Sequence, residues 1–163
     1  MVDEVSQLFR QAMRRFPAAV TVVTARGKEG DCGMTATAVT SLSMDPPSLL
    51  VCVNRNAGFH RTIEDGGHFC INVLREGQHQ ISANFGGAKP SSERFSEGDW
   101  RESEKNGLLY LADAQAVIFC KKSATFMHTT HTIVVGEATG LILHDTVAPL
   151  LYIDGRYATL SVG

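Results

Sequence analysis

From Ala18 onward the chain is a succession of short β-branched or apolar runs cut by glycine, proline and polar turns, and no long helical run alternates with them. That rhythm constrains the fold more than any single motif, because a parallel α/β sheet needs a helix-length crossover between successive strands. Ala18 to Ala25, bounded by Pro17 and Gly27, predicts a strand, and the Gly-rich, charged Arg26 to Asp31 a hairpin loop. A second strand follows over Gly33 to Ser43. Pro46 and Pro47 cannot donate to a ladder and mark a connection, after which Ser48 to Val53 and His68 to Leu74 predict two more strands. Further runs are Leu108 to Leu111, Ala114 to Ser123, and a long strand beginning near His131, in which Gly136 and Gly140 suggest bulges. Pro149 to Ile153, a turn at Asp154-Gly155, and Arg156 to Ser161 close the chain as a hairpin.

Helical spacing is brief. Leu8, Phe9, Ala12, Met13 and Phe16 give Ser6 to Phe16 an amphipathic pattern that predicts a helix packed on a sheet, and Pro17 ends it. Phe59 to Glu64 and Gly77 to Phe85 predict shorter helical pieces. Ala88 to Asn106, with Phe95 and Trp100 as apolar anchors, reads as a surface excursion of the kind that covers a ligand. The sum is a mainly β protein, a small antiparallel barrel with short covering helices, in a single domain over residues 1–163.

Charge and hydropathy narrow the function classes. Fifteen Lys and Arg stand against seventeen Asp and Glu, with no basic run, which argues against nucleic acid as a partner. No apolar run reaches the roughly 18 to 20 residues that span a bilayer, and the polar, acidic N-terminus does not resemble a signal peptide, so no membrane and a cytoplasmic location are expected. Cys32, Cys52, Cys70 and Cys120 form no C-x-x-C pair and read as reduced, mostly buried thiols.

Several familiar sites are missing from the text. No G-x-G-x-x-G, no G-x-x-x-x-G-K-[ST] and no G-x-S-x-G is present. His128 and His131 lie three apart, which on one strand places them on opposite faces, so no metal site is expected. The stretch from Cys32 to Arg55 is more informative, being poor in charge and dense in small and hydroxylated residues. It suits a flat ligand such as a flavin, which needs a slot for its ring, backbone donors, and a polar or cationic nest for its phosphate. Thr35, Ala36 and Thr37 with Ser41, Leu42 and Ser43 would line ring and ribityl chain, next to Cys52 and Asn54. Arg55, the Asn56-Ala57-Gly58 turn and His60 would meet the phosphate. Residue types alone fit equally two sheet strands joined by a polar turn.

The ordered set CGMTATAVTSLSMDPPSLLVCVNRNA, HFCINVL, NFGG followed by RF, THTIVVGE and LLYIDGRY resembles the short-chain flavin reductases of the FMN-binding split-barrel group, over roughly Phe9 to Leu160. The resemblance implies a six-stranded antiparallel split β-barrel of Greek-key type that forms a homodimer, with flavin near the subunit interface. It implies hydride transfer from NADH or NADPH to FMN or FAD, the reduced flavin passing to a partner oxygenase. By position, it implies flavin contacts for Thr35, Ala36, Ser41, Leu42, Cys52, Asn54, Arg55, Ala57 and the Phe85-Gly86 pair. It places His131 near the nicotinamide as the catalytic residue, in a positioning or electrostatic role, with Arg156 and Tyr157 bordering the same pocket. Thr129-Thr130 stand before His131 where many relatives carry Gly-Asp, and Ala158 where a histidine often follows, which leaves the donor open. A flavin carrier or sensor without turnover, and a flavin-mediated reductase of another acceptor such as a corrin, remain as alternatives.

Overall fold

The computed structural model describes residues 3–161. Among these residues twelve strands are formed: β1 (Ala18–Ala19), β2 (Thr21–Gly27), β3 (Gly30–Ala36), β4 (Val39–Met44), β5 (Pro47–Asn54), β6 (His68–Val73), β7 (Trp100–Glu102), β8 (Leu109–Leu111), β9 (Ala116–His128), β10 (His131–Leu143), β11 (Leu151–Ile153) and β12 (Arg156–Ala158). Seven build one sheet in the order β3-β2-β6-β9-β10-β5-β4, and every pair in it is antiparallel.

The expected six strands are therefore seven, and among the described residues no ladder closes the sheet into a barrel. The run Gly33 to Ser43 is not one strand. It divides at Thr37-Ala38, and its halves pair at opposite edges, β3 with β2 and β4 with β5. Six strand spacings would put the edges of a flat sheet about 29 Å apart, whereas the three peptide steps from Ala36 to Val39 reach at most about 11 Å. The sheet must curl until its edges adjoin, leaving an open seam. Its apolar interior confirms the curl: Ala25 and Ala36 from one edge share a core with Leu49, Val51 and Val53 from the other, closed by Phe59, Ile63 and Phe69.

Similarly, the expected strand Ala18 to Ala25 divides at Val20, so that β1 pairs with β11 and β2 enters the main sheet. A second core lies beneath the β7–β8 ribbon, where Leu74, Phe85, Leu108, Leu111 and Val117 meet. Asn72, fully buried, ties the two regions by donating from Nδ2 to the Val22 carbonyl at 3.0 Å and accepting the Leu111 amide at 2.8 Å.

Helix α1 (Glu4–Met13) is capped by Asp3, whose carboxylate accepts the Ser6 amide at 2.7 Å. Contrary to expectation it does not pack on the sheet: it buries no residue, and Val5, Leu8, Phe9 and Met13 remain exposed. Helix α2 (Gly58–Asp65) plugs one end of the curled sheet with Phe59 and Ile63, and Lys122 Nζ donates to its last carbonyls at Ile63 and Glu64. Helix α3 (His79–Ala83) widens into a π-type turn over Asn84–Ala88. The excursion that follows is pinned rather than loose, because Arg94 donates to the Gly33 carbonyl at 3.0 Å and Phe95 and Trp100 pack on Phe85 with ring centroids 5.0 and 5.2 Å away.

Candidate functional site

Along β5 the residues alternate strictly, with Leu49, Val51 and Val53 inside the curl and Leu50, Cys52 and Asn54 on its outer face. Antiparallel register then sets their neighbours. Cys52 lies opposite Ile133 and Asn54 opposite His131, while the Cys52 amide donates to the Ala38 carbonyl at 3.0 Å. The outer face of β5 thus joins the seam at Thr37-Ala38 to the start of β10.

At that end three predicted residues converge. The Arg55 amide donates to the Thr130 carbonyl at 2.9 Å and its guanidinium to the Thr129 carbonyl at 3.3 Å, which fastens it to the β9–β10 turn. His131 is exposed, and its Nδ1 is 2.8 Å from Thr130 Oγ1, a bond that fixes the ring orientation and leaves Nε2 for a ligand. Asn54 accepts the Asn56 amide through Oδ1 at 2.9 Å and the Ala57 amide through its carbonyl at 3.0 Å, turning the chain into α2. The two threonines before His131 therefore shape this corner, a role that residue type alone did not signal.

His128 and His131 do not lie on opposite faces. They are direct partners across the two-residue Thr129-Thr130 turn and so share one face. Nor does the His60 ring join Arg55, although its amide donates to the Ala57 carbonyl at 2.9 Å. It is buried, with Nε2 2.8 Å from Thr132 Oγ1, and serves the interior of the curl.

A second group gathers around α3. Thr35 Oγ1 donates to the Ser82 carbonyl at 2.6 Å, Tyr157 donates its hydroxyl to Ser82 Oγ at 2.9 Å, and Gly86 lies beside Thr35. Ala36 is buried next to the seam and Thr37 exposed upon it. The Phe85 side chain, by contrast, is core, only 3% exposed and packed so closely on Gly33 that a Cβ there would approach the ring to 2.7 Å. Any ligand contact at this position falls to its backbone and to Gly86.

Other predicted residues stand apart. Ser41 and Leu42 are exposed on edge strand β4, and Ser43 exchanges hydrogen bonds with Asp45 in the β4–β5 turn. They lie toward the opposite end of β5 from Asn54, about 16 to 20 Å away at the rise of a strand. Arg156 is exposed, and among the described residues its guanidinium meets only Asp154, at 3.5 Å. A groove of about 530 Å³ lined by Tyr110, Phe119, Leu141 and Ile142 lies at the far end of β9 and β10 and holds none of the predicted residues. The seam, where those residues converge, is the better candidate.

The thiols report on this arrangement. Burial pushes Cys120 up to about 12 and Cys70 higher still, so neither supplies thiolate near neutrality. Cys32 and Cys52 are half-buried. Iodoacetamide at about pH 8 should label Cys32 and Cys52 in the folded protein and spare Cys70 and Cys120 until denaturation. Saturating FMN should slow labelling of Cys52 but not of Cys32, as read by peptide mass; a Cys52 indifferent to FMN would remove it from the cradle.

A curled antiparallel sheet with small, hydroxylated and half-buried residues along an open seam, and an oriented histidine at its end, defines a β protein that presents a surface site for a flat polar ligand. Comparison with known proteins gives this class its family. The Flavin reductase like domain matches residues 13–161, and the chain belongs to that family. It is 44% identical over 161 residues to the reductase component of an FADH(2)-dependent resorcinol hydroxylase from Rhizobium sp. (strain MTP-10005), covering 98% of this chain and 89% of that one. It is 38% identical over 153 residues to the FMN reductase (NADH) RutF of Variovorax paradoxus (strain S110), covering 94% and 84%. Among solved structures, the NADH:FAD oxidoreductase SgcE6 of Streptomyces globisporus C-1027, in complex with NAD and FAD fragments, superposes with a TM-score of 0.89 at 30% identity, covering 99% and 96%.

Proposed function

We propose that this protein is an NADH-dependent flavin reductase that reduces FMN or FAD and supplies the reduced flavin to a partner monooxygenase. The observation that carries the reading is the convergence of Cys52, Asn54 and His131 on one outer face beside the Thr37-Ala38 seam, with Arg55 fastened to the adjoining β9–β10 turn. The relatives support both halves of it, since one is named as the reductase component of a hydroxylase and another as an NADH-dependent FMN reductase.

The donor set fits a flavin. Thr37, Cys52 and Ile133 offer a surface of small or half-buried side chains along which a flat ring can lie, and Asn54 keeps its amide nitrogen free of partners among the described residues. Arg55 spends one guanidinium nitrogen on the turn and retains positive charge and further N–H donors for a phosphate. When bound, the two cofactors supply the hydride chemistry, from nicotinamide C4 to flavin N5. The chain orients them and stabilises negative charge on the flavin ring, and His131, held by Thr130, is assigned that electrostatic role.

The seam between β3 and β4 is read as the opening of a split barrel, crossed in Greek-key fashion by the β3–β4 and β5–β6 connections. A homodimer accounts for the apolar surface that a single chain leaves open, namely the stripe of α1 together with Phe126, Met127, Leu141 and Leu143. No helix among the described residues is long and apolar enough to cross a membrane. Catalytic NADH oxidation that depends on added FMN or FAD tests the activity, and its absence with both flavins refutes it.

A further inference from the structure

We propose that Ser82 is a positioning residue that couples the terminal hairpin to the flavin cradle, setting the tyrosine ring of Tyr157 for binding of the hydride donor. The proposal rests on the assignment of Tyr157 to the donor side of the site. Ser82 is 3% exposed and is grasped from two directions that are distant in sequence. Tyr157 of β12 donates to its hydroxyl at 2.9 Å, and Thr35 of β3 donates to its carbonyl at 2.6 Å. A buried hydroxyl with a single side-chain partner carries that partner's position with it. The bond falls just before α3 widens into its π-type turn and Gly86 comes alongside Thr35, so cradle strand, helix and hairpin meet at one residue.

The hairpin does not need this bond to exist. Its base is held by the pairing of β1 with β11, by the Asp154 amide on the Arg14 carbonyl at 2.8 Å, and by the Asp154-Gly155 turn with both residues at positive φ. Among the described residues, however, β12 pairs only with β11. The Tyr157 ring beyond it is half-exposed, leans on Tyr152 and His79 at centroid distances of 5.6 and 6.2 Å, and lines an open groove of about 370 Å³ with His79, Leu150 and Ala158. Among the described residues only Ser82 holds its hydroxyl, so loss of Ser82 Oγ frees the ring while the hairpin stays folded.

The test is steady-state and anaerobic single-turnover kinetics of the full flavin-loaded chain, with Ser82→Ala, Ser82→Thr, Tyr157→Phe and Tyr157→Ala. Ser82→Ala and Tyr157→Phe should each raise KM for NADH about fivefold, the worth of one neutral hydrogen bond. Flavin Kd, kcat and Tm should stay near wild type, the double variant should be no worse than either single one, and Ser82→Thr should restore KM. If Tyr157→Ala raises KM but Ser82→Ala and Tyr157→Phe leave it unchanged, or if their effects add, the coupling is overturned while Tyr157 keeps its place. If Tyr157→Ala itself leaves KM unchanged, the donor-side assignment fails and the coupling with it. A fall in Tm and flavin affinity in step with KM would make Ser82 a purely structural residue and also overturn the proposal.

Discussion

Replacing His131 by alanine is expected to slow flavin reduction by about a hundredfold, while flavin affinity changes little. The asymmetry follows from position. His131 stands at the first residue of β10, exposed, opposite Asn54, with Nδ1 engaged by Thr130 and its other nitrogen open to ligand. Nothing in the sheet hangs on the ring, since the backbone pairing to β5 and β9 survives its removal. A group that acts only as charge develops lowers the rate constant when deleted and leaves ground-state binding nearly intact. Stopped-flow reduction by NADH beside a flavin titration checks this, and an equal loss in both would make His131 a binding residue instead.

The largest effect on stability is expected at Gly136. A β-bulge shifts the β9–β10 register there, and the residue is pressed on the Phe69 ring from inside the curl. A Cβ at this position would collide with the Phe69 ring tip, lie 2.7 Å from Phe69 Cε1 and 2.8 Å from Cys120 Cβ, all within the packed interior. Gly136→Ala should destabilise the fold by about 3 kcal/mol, lowering Tm by about 6 to 12 °C for a chain of this size. Gly140 is the control on the same strand. Its added Cβ would meet Phe119 only at 3.6 Å, so Gly140→Ala should leave Tm near wild type, as calorimetry can show. A tolerant Gly136 would mean that Phe69 does not fill the space beneath β10.

Both glycines were legible as breaks in a strand, and the structure puts register shifts at Val135/Gly136 and Ala138/Gly140. The terminal hairpin was equally legible, because Asp154-Gly155 is a turn pair whose backbone chemistry is local. What escaped was non-local. Thr37-Ala38 carries neither glycine nor proline, so a run of small residues reads as one strand although its halves sit at opposite edges of the sheet. The stripe on α1 announces a face but not what covers it, and the isolated chain leaves it open.

The site shows the same division. Cys52, Asn54 and His131 share a face because strand register obliges them to. Arg55 is a residue equally suited to a phosphate and to a turn carbonyl, and only the structure reveals that it already serves the latter. The Phe85 side chain is core, which leaves any ligand contact there to its backbone, and an aromatic beside two glycines carries no sign of which way it faces.

Flavin reduction by this chain is tested by an anaerobic titration of the flavin-loaded protein with NADH, followed in the visible absorbance of oxidised flavin. Complete bleaching is expected at one equivalent of NADH per flavin, with the colour returning when air is admitted. Flavin that stays bound and oxidised in excess NADH, and equally in excess NADPH, would contradict it and leave a protein that carries flavin without reducing it.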